Sequence, residues 1–267
     1  DAVAGNAPGD PYAAPPRPDS FLAQVTTAPR TLRVGWSTTS PLGTPVDADC
    51  VTAVEQTVAL LEGLGHRVEE SSPPVDGTAL ARSYVTMYLG QVAATVDNAV
   101  ADGIDEDRFE PDTRLLAKLG RSLSASTYVR ELLAWNDYAR QLGTWFDRFD
   151  VALTPTTAML PARIGELDTP APMAAAFEVA RRLPVGKLIL RSGVLEQIAN
   201  ESLQRTPFTQ LANLTGTPSM SLPLHHTSGG LPVGVQFSTP LGDEATLLQL
   251  AGQLETAAPW DHRRAMA

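Results

Sequence analysis

The sequence Thr31-Leu32-Arg33-Val34-Gly35-Trp36 alternates polar and apolar side chains and predicts a β-strand. A helix is predicted next, and Asp47 or Asp49 can cap it because a carboxylate accepts free backbone N–H groups at the positive end of a helix. Gly65 stands where this helix would end, and residues 66–69 begin a second strand. A strand, a helix and a strand in this order normally give two parallel strands, which predicts an α/β fold.

The region after this unit is predicted to be mostly helical, from about residue 77 to residue 149. Its clearest helix starts near Ala125 and carries an apolar stripe, which favours burial against a large surface. The stripe consists of Tyr128, Leu132, Trp135, Leu142 and Phe146. Residues 151–154 then form a short buried strand that Pro155 stops. The stretch from residue 171 to residue 202 shows no clear pattern.

A β-hairpin is predicted near the end of the chain. Residues 219–224 and 233–237 read as strands, and residues 228–230 (Ser-Gly-Gly) can turn tightly because glycine adopts positive φ without a steric penalty. Apolar residues between Leu247 and Leu254 define a last amphipathic helix.

The domain organisation follows from the distribution of proline and glycine. Residues 1–30 are rich in Pro, Gly and Asp, which favours an extended surface segment, whereas residues 31–267 carry the α/β pattern. The start of the chain lacks both an initiator Met and a basic region followed by an apolar stretch, so it does not resemble a secretory signal. We therefore expect the chain to be part of a longer product.

Composition excludes several classes of protein. A formal charge of −10 and a pI near 4.8 disfavour nucleic-acid binding, which depends on clustered Lys and Arg. No apolar run approaches the about 20 residues that span a bilayer, so no membrane association is expected. The single cysteine, Cys50, excludes an internal disulfide and paired-thiolate zinc sites, fits a reducing cytoplasm, and is predicted to pack near a helix start. Abundant Ala and Pro, with Arg outnumbering Lys, favour a bacterial source.

Most candidate reactive residues have simpler interpretations. His225 and His226 are adjacent in a predicted hairpin connection, where successive side chains diverge, and no carboxylate at metal spacing accompanies them. Residues 228–230 resemble part of a nucleophile loop, but their flanks predict a turn. The sequence holds no Gly-x-Ser-x-Gly elbow, phosphate-binding loop or His-Glu-x-x-His helix. We therefore predict no metal and no cofactor.

An ordered set of segments nevertheless resembles the amidase-signature family across nearly the whole chain. Near the start are Gly9-Asp10-Pro11-Tyr12, Phe21 and Leu32-Arg33-Val34-Gly35. In the middle are Asp150-Val151-Ala152-Leu153-Thr154-Pro155-Thr156-Thr157 and Ile164-Gly165-Glu166. Near the end are Pro207-Phe208-Thr209, Asn213, Gly216-Thr217-Pro218-Ser219-Met220-Ser221-Leu222-Pro223 and Gly230-Leu231-Pro232-Val233-Gly234-Val235-Gln236. The resemblance identifies the chain as the C-terminal half of such an enzyme.

The resemblance implies a three-layer α/β/α fold around a mixed β-sheet and hydrolysis of carboxylic amides by a Ser, a bridging Ser and a Lys. A desolvated neutral Lys can act as base through the bridging hydroxyl, while backbone N–H groups stabilise the oxyanion. In the family these residues lie N-terminal to the segments matched here. Lys118 and Lys187 lack the Gly and Ser partners of that mechanism, so we assign no catalytic residue and expect this chain alone to be inactive.

We expect this half to complete the fold and to line the substrate pocket. Thr156 and Thr157 lie just beyond a strand end, where open α/β sheets usually bind ligands, and Phe237 and Met87 are further candidates for substrate contact. The expected partners are the N-terminal half of the same amidase and a small amide substrate. A second copy of the chain, forming a homodimer, is a further alternative. If the sheet is shared with that half, the chain alone exposes a strand edge and should self-associate or bind its complement.

Two other functions remain open from the sequence. The A subunit of a tRNA-dependent amidotransferase shares the fold and part of the closing motif, although the acidic charge disfavours an approach to RNA. A non-catalytic α/β binding module would be stable, monomeric and ligand-binding by itself.

Overall fold

The computed structural model describes residues 1–183, 190 and 194–260 of the chain. The strands of this part are β1 (Arg33–Trp36), β2 (Arg67–Glu70), β3 (Val151–Pro155), β4 (Ser219–His226) and β5 (Pro232–Ser238). Its helices are α1 (Phe21–Val25), α2 (Ala48–Gly63), α3 (Gly77–Ala101), α4 (Pro111–Arg121), α5 (Ala125–Phe146), α6 (Ala171–Arg182), α7 (Val194–Leu203), α8 (Gln210–Thr215) and α9 (Glu244–Ala257). A 3₁₀ turn, Glu106–Arg108, precedes α4.

The chain divides into two units by the contacts between Cα atoms. The sheet unit comprises Asp1–Val75, Ala139–Leu160 and Arg205–Ala267, and the helical unit comprises Asp76–Tyr138 and Pro161–Gln204. Neither unit begins or ends at residue 30, where the sequence predicts a domain boundary. Residues 1–30 belong to the sheet unit and include the short helix α1.

The five strands of the sheet unit form one mixed sheet in the order β2-β1-β3-β5-β4. Strand β1 is parallel to β2 and to β3, whereas β5 is antiparallel to β3 and to β4. The predicted parallel unit, the hairpin and the α/β class are therefore confirmed. Strand β3 extends one residue further than predicted, because Pro155 still pairs with Val235.

Helix α2 begins and ends at the residues that the sequence indicates. The Asp47 side chain accepts a hydrogen bond from the Asp49 backbone N–H at 2.9 Å, so Asp47 is the N-terminal cap. Gly65 follows the helix with φ of +87°, a left-handed conformation that glycine adopts readily.

The main core lies between one face of the sheet and helices α2 and α9. Burying these apolar side chains drives the packing, at roughly 25 cal/mol per Å² of area removed from water. Its fully buried members include Leu32, Val34, Val54, Leu61, Val151, Leu153, Val235, Phe237, Leu250 and Leu254.

The opposite face of the sheet is covered near β1 by the end of α5. The Trp145 ring stacks on Phe149 at 4.4 Å between centroids, and the same ring lies against Gly35 of β1. A Cβ at position 35 would come within 2.3 Å of that ring, so the glycine makes room for the tryptophan. The Trp145 indole N–H also donates to the Ser71 hydroxyl at 3.0 Å.

The helical unit contains α3, α4 and the first part of α5, together with α6 and α7. Helices α6 and α7 therefore lie in the stretch for which the sequence shows no pattern. In α6 the charged residues Glu178 and Arg181 pair with each other, and Glu178 also lies 3.6 Å from Arg114 of α4. The apolar Met173 and Val179 are exposed, and Phe177 is partly buried.

Cys50 packs in the core at the start of α2, as predicted, and is fully buried. Burial raises the pKa of its thiol to about 11, and the Asp47 carboxylate acts in the same direction. At pH 8 only roughly one thiol in a thousand is therefore ionised, and the thiolate is the reactive form. We predict no alkylation of the folded chain by iodoacetamide at pH 8 and complete alkylation in urea, measured by mass spectrometry. Rapid modification of the native chain would contradict this.

Within residues 1–183, 190 and 194–260, no helix combines the length and the apolar character needed to cross a membrane.

Candidate functional site

Strand β3 ends at a pair of hydroxyl groups. The Thr156 backbone N–H donates to the Gly234 carbonyl at 3.1 Å, which extends the β3–β5 ladder by one residue. The Thr156 side chain lies 2.6 Å from the Ser221 hydroxyl of β4. Thr156 is half-buried and Ser221 is exposed, so this pair is open to solvent in the chain.

Gly234 makes the hydroxyl pair possible. Strand β5 lies between β3 and β4, so the two hydroxyls meet above the backbone of β5. A Cβ at position 234 would lie 2.5 Å from the Ser221 oxygen and 2.9 Å from the Thr156 oxygen. Any side chain larger than hydrogen would therefore force the two hydroxyls apart.

The pair belongs to a wider, mostly polar and uncharged surface, which we call the hydroxyl face. Residues directly opposite each other in a sheet share a face, and successive residues alternate between faces. The register of the three strands therefore places the following residues together: Ala152, Thr154, Thr156, Ser219, Ser221, Gly234, Gln236 and Ser238. None of these side chains carries a charge, and the other face of the same strands is the apolar core.

Hydrogen bonds within the hydroxyl face leave one buried group unused. The Ser219 and Ser238 hydroxyls lie 2.5 Å apart, and the Gln236 side chain donates to the Phe208 carbonyl at 3.2 Å. By contrast, the Thr154 hydroxyl oxygen is buried and has no hydrogen-bond partner. A buried polar atom of this kind is uncommon, because leaving it unpaired costs free energy.

Backbone hydrogen bonds hold the segment after Thr156 in place. The Ala158 N–H donates to the Arg205 carbonyl at 2.8 Å, and the Ala158 carbonyl accepts from the Asp47 N–H at 2.8 Å. The Arg205 guanidinium also donates to the Leu160 carbonyl at 3.3 Å. Thr156 thus sits between the end of a strand and a loop that is fixed to the start of α2.

The four residues for which the sequence predicts substrate contact have different surroundings. Only Thr156 lies on the hydroxyl face. The neighbouring Thr157 hydroxyl donates to the Met159 carbonyl at 2.9 Å, and Phe237 is fully buried on the apolar face. Met87 is buried in α3 and belongs to the helical unit. Substrate contact by all four stays a prediction, and the geometry favours Thr156.

The histidines and lysines considered from the sequence have other surroundings. His225 lies within β4 and not in a connection, and its Nδ1 is 3.0 Å from the Gln56 side chain. A carboxylate does approach it, since Asp49 is 3.8 Å away, but no group of three or more potential metal ligands occurs among the described residues. The Lys118 amine donates to carbonyls at the end of α6, including that of Ala180 at 3.0 Å. Lys187 lies outside the described residues.

Sequence reasoning did not single out Ser221 as a site residue. One signal was available: Ser219 and Ser221 alternate with apolar residues in a predicted strand, which places both serines on one face. The proximity of Ser221 to Thr156 depends on the order of the strands in the sheet, which the local sequence pattern does not predict.

Comparison with known proteins gives consistent matches over most of the chain. AmiB2 of Mycobacterium tuberculosis, which is named as a provisional amidase, is 34% identical over 248 residues, or 91% of this chain and 47% of that protein. The 6-aminohexanoate-cyclic-dimer hydrolase of Pseudomonas sp. is 29% identical over 270 residues, or 99% of this chain and 52% of that enzyme. The chain thus spans about half the length of the relatives it matches.

A solved structure shows the same fold. The structure of 6-aminohexanoate cyclic dimer hydrolase complexed with substrate superposes with a TM-score of 0.81 at 28% identity, covering 97% of this chain and 52% of that one. The family model described as Amidase matches residues 1–248. The chain therefore belongs to the amidase family, as its ordered motifs and mixed sheet indicate.

Proposed function

We propose that the chain is the C-terminal half of an enzyme that hydrolyses linear, non-peptide carboxylic amides, and that it shapes the substrate pocket of that enzyme. The observation that carries this proposal is the family match over residues 1–248. The nucleophilic Ser, the bridging Ser and the Lys would belong to polypeptide outside this sequence. The hydroxyl face, with Thr156 at its open end, would form part of the pocket wall.

The relatives support hydrolysis over the alternatives left open by the sequence. The enzyme from Pseudomonas sp. is named as a hydrolase of the 6-aminohexanoate cyclic dimer, which does not favour the A subunit of a tRNA-dependent amidotransferase. No observation specifically favours a non-catalytic binding module. The relatives compared above are bacterial, and Cys50 is a free thiol, so we place the protein in the cytoplasm of a bacterium.

The sheet offers a route for association with the missing half. Strands β2 and β4 are the two edges of the described sheet. An edge strand presents unpaired backbone groups that favour pairing with another chain. We propose that the N-terminal half of the same enzyme, together with a small amide substrate, is the partner of this chain.

A complementation experiment tests this function. Ammonia release from hexanamide would be measured for this chain alone, for the N-terminal half of the parent enzyme alone, and for the two halves co-expressed. We expect hydrolysis only from the co-expressed pair, because neither half contains both the nucleophile and the complete pocket. Replacing the parent's nucleophilic Ser by Ala in the pair is the control and should abolish the activity.

Two outcomes would contradict the proposal. One is hydrolysis of hexanamide by this chain alone at the rate of the pair. The other is a pair that associates, retains the intact Ser and releases no ammonia from any linear amide tested.

A further inference from the structure

The hydroxyl pair of Thr156 and Ser221 is a bridge across an intervening strand. Neighbouring strands lie about 4.8 Å apart, so β3 and β4 are separated by roughly 10 Å on either side of β5. The two hydroxyl oxygens are nevertheless 2.6 Å apart. The absence of a side chain at Gly234 leaves a notch in the sheet surface, and the pair closes above it.

This pair retains both donor and acceptor capacity. Each hydroxyl has one O–H group and two lone pairs, and the bond between them uses one O–H group and one lone pair. One O–H donor and several lone pairs are therefore left, within about 3 Å of each other. Because Ser221 is exposed, a ligand can reach them.

A carboxamide matches this arrangement. Its carbonyl oxygen accepts a hydrogen bond and its N–H donates one, so a single amide can use the free donor and a free acceptor of the pair together. A carboxylate offers acceptors only, and an ammonium group offers donors only. Each of these would leave part of the pair unused.

Charge sharpens this preference. No residue of the hydroxyl face carries a charge, so the face offers a charged ligand no ion pair. Hydrolysis of an amide at neutral pH gives a carboxylate and an ammonium ion, both charged. The surface therefore offers these products no ion pair, whereas the neutral amide can use a donor and an acceptor of the pair together.

We propose that Thr156 and Ser221 form a subsite that binds a neutral carboxamide group and discriminates against the carboxylic acid. This inference rests on the proposed function, since it deepens the role of the same surface. The unpartnered Thr154 hydroxyl, two residues before Thr156 on the same face, is a second indication that the chain does not use the full hydrogen-bonding capacity of this surface.

Binding to this chain alone tests the subsite without requiring catalysis. NMR titration with hexanamide and with hexanoate would follow the backbone amides of residues 156 and 221. We expect hexanamide to shift both signals with at least about 10-fold tighter binding than hexanoate, the ratio that one hydrogen bond can supply. Equal binding of the two probes, or shifts confined to other residues, would overturn the proposal.

Variants separate the subsite from a purely structural bridge. Ser221→Ala should weaken hexanamide binding about 10-fold and leave hexanoate binding unchanged, whereas Thr156→Ser, which keeps the hydroxyl, should bind like the wild type. Thr256→Ala is the matched control, because Thr256 is an exposed hydroxyl on α9, which packs on the opposite face of the sheet. An effect of Ser221→Ala that is equal for both probes would contradict the assignment.

The same variants distinguish this inference from the proposed function. In the assembled enzyme we expect Ser221→Ala to raise KM for hexanamide about 10-fold with kcat nearly unchanged, since binding and not chemistry is affected. If the assembled enzyme released no ammonia while the chain still bound hexanamide at Ser221, the proposed function would fail and the subsite would stand. If hydrolysis persisted with an unchanged KM in Ser221→Ala, the subsite would fail and the function would stand.

Discussion

Replacement of Gly120 by alanine is expected to destabilise the chain by roughly 3 kcal/mol. Gly120 is buried in α4 where this helix crosses α3, and a Cβ there would lie 2.0 Å from the Leu89 carbonyl oxygen and 2.8 Å from the Ala93 Cβ. A backbone carbonyl within a helix cannot rotate away as a flexible side chain can, so the two helices must separate. Chemical unfolding by urea, followed by circular dichroism, measures the loss of free energy of unfolding.

Gly143→Ala is the matched control for this prediction. Gly143 is also in the interior of a helix, α5, but it is exposed and a Cβ there would meet no atom within 4 Å. Alanine exceeds glycine in helix propensity by up to about 1 kcal/mol, so this variant should be slightly more stable than the wild type. If Gly120→Ala were as stable as Gly143→Ala, α3 and α4 would not be packed as closely as the structure shows. Hydrogen exchange should locate the weakening in α3 and α4.

Local sequence patterns were sufficient to predict most of the sheet unit. The alternation in residues 31–36, the acidic cap at Asp47 and the glycine at position 65 each reflect local physical preferences of the backbone, and all three predictions are confirmed. The position of the hairpin followed from two alternating runs around a glycine turn. The pairing of β5 with β3 did not follow, because it joins residues about 80 positions apart and has no local signal.

Helix α6 shows why the region after residue 170 could not be predicted. Its only large apolar residues are Met173, Phe177 and Val179, which are too few to define an apolar stripe. In α6, Glu178 and Arg181 form ion pairs within the helical unit, while Val179 is exposed. Glu178 and Arg181 also pair with Arg114 and Asp107, which lie more than 60 positions earlier in the sequence. A local pattern gives no sign of such contacts.

The candidate site was predicted only in part for the same reason. Thr156 could be identified because it follows a strand end, which is a common position for ligand contacts in α/β proteins. The Ser221 hydroxyl reaches Thr156, across the space at Gly234, only because β4, β5 and β3 lie side by side in the sheet. The buried environment of Phe237 also depends on that order, because its ring lies on the face covered by α2 and α9.

Asp150 lies just before β3, at the end opposite Thr156, and joins the beginning of the chain to the centre of the sheet. Its carboxylate is only 6% exposed and accepts hydrogen bonds from the Arg30 guanidinium at 2.9 and 3.0 Å. Arg33 adds its backbone N–H at 2.8 Å and its guanidinium at 2.8 Å. Two arginines and one backbone amide thus converge on a single buried carboxylate, an arrangement typical of strong charge-assisted hydrogen bonds.

Asp150→Asn is expected to lower the free energy of unfolding at pH 7 by roughly 2–3 kcal/mol. The substitution preserves size but removes the charge, and its NH₂ group cannot accept the hydrogen bonds that the arginines donate. Arg30 and Arg33 are 63% and 44% exposed and regain water, which keeps the loss below that of a fully buried pair. Asp147→Asn, three residues earlier and exposed, is the control and should change stability by less than about 0.5 kcal/mol.

The effect of Asp150→Asn should become smaller in acid. Burial alone would raise the pKa of Asp150, but the hydrogen bonds from Arg30 and Arg33 outweigh burial and hold that pKa well below its usual range. Because the pKa is lower in the folded chain, the carboxylate stabilises the fold fully above its unfolded pKa of about 3.9. This contribution decreases as the pH falls below that value and is fully lost only below the folded pKa. Urea unfolding at pH 7 and at pH 3 should therefore show a gap between wild type and Asp150→Asn that narrows at pH 3. A gap that stayed constant would mean that shape, and not charge, accounts for the role of Asp150.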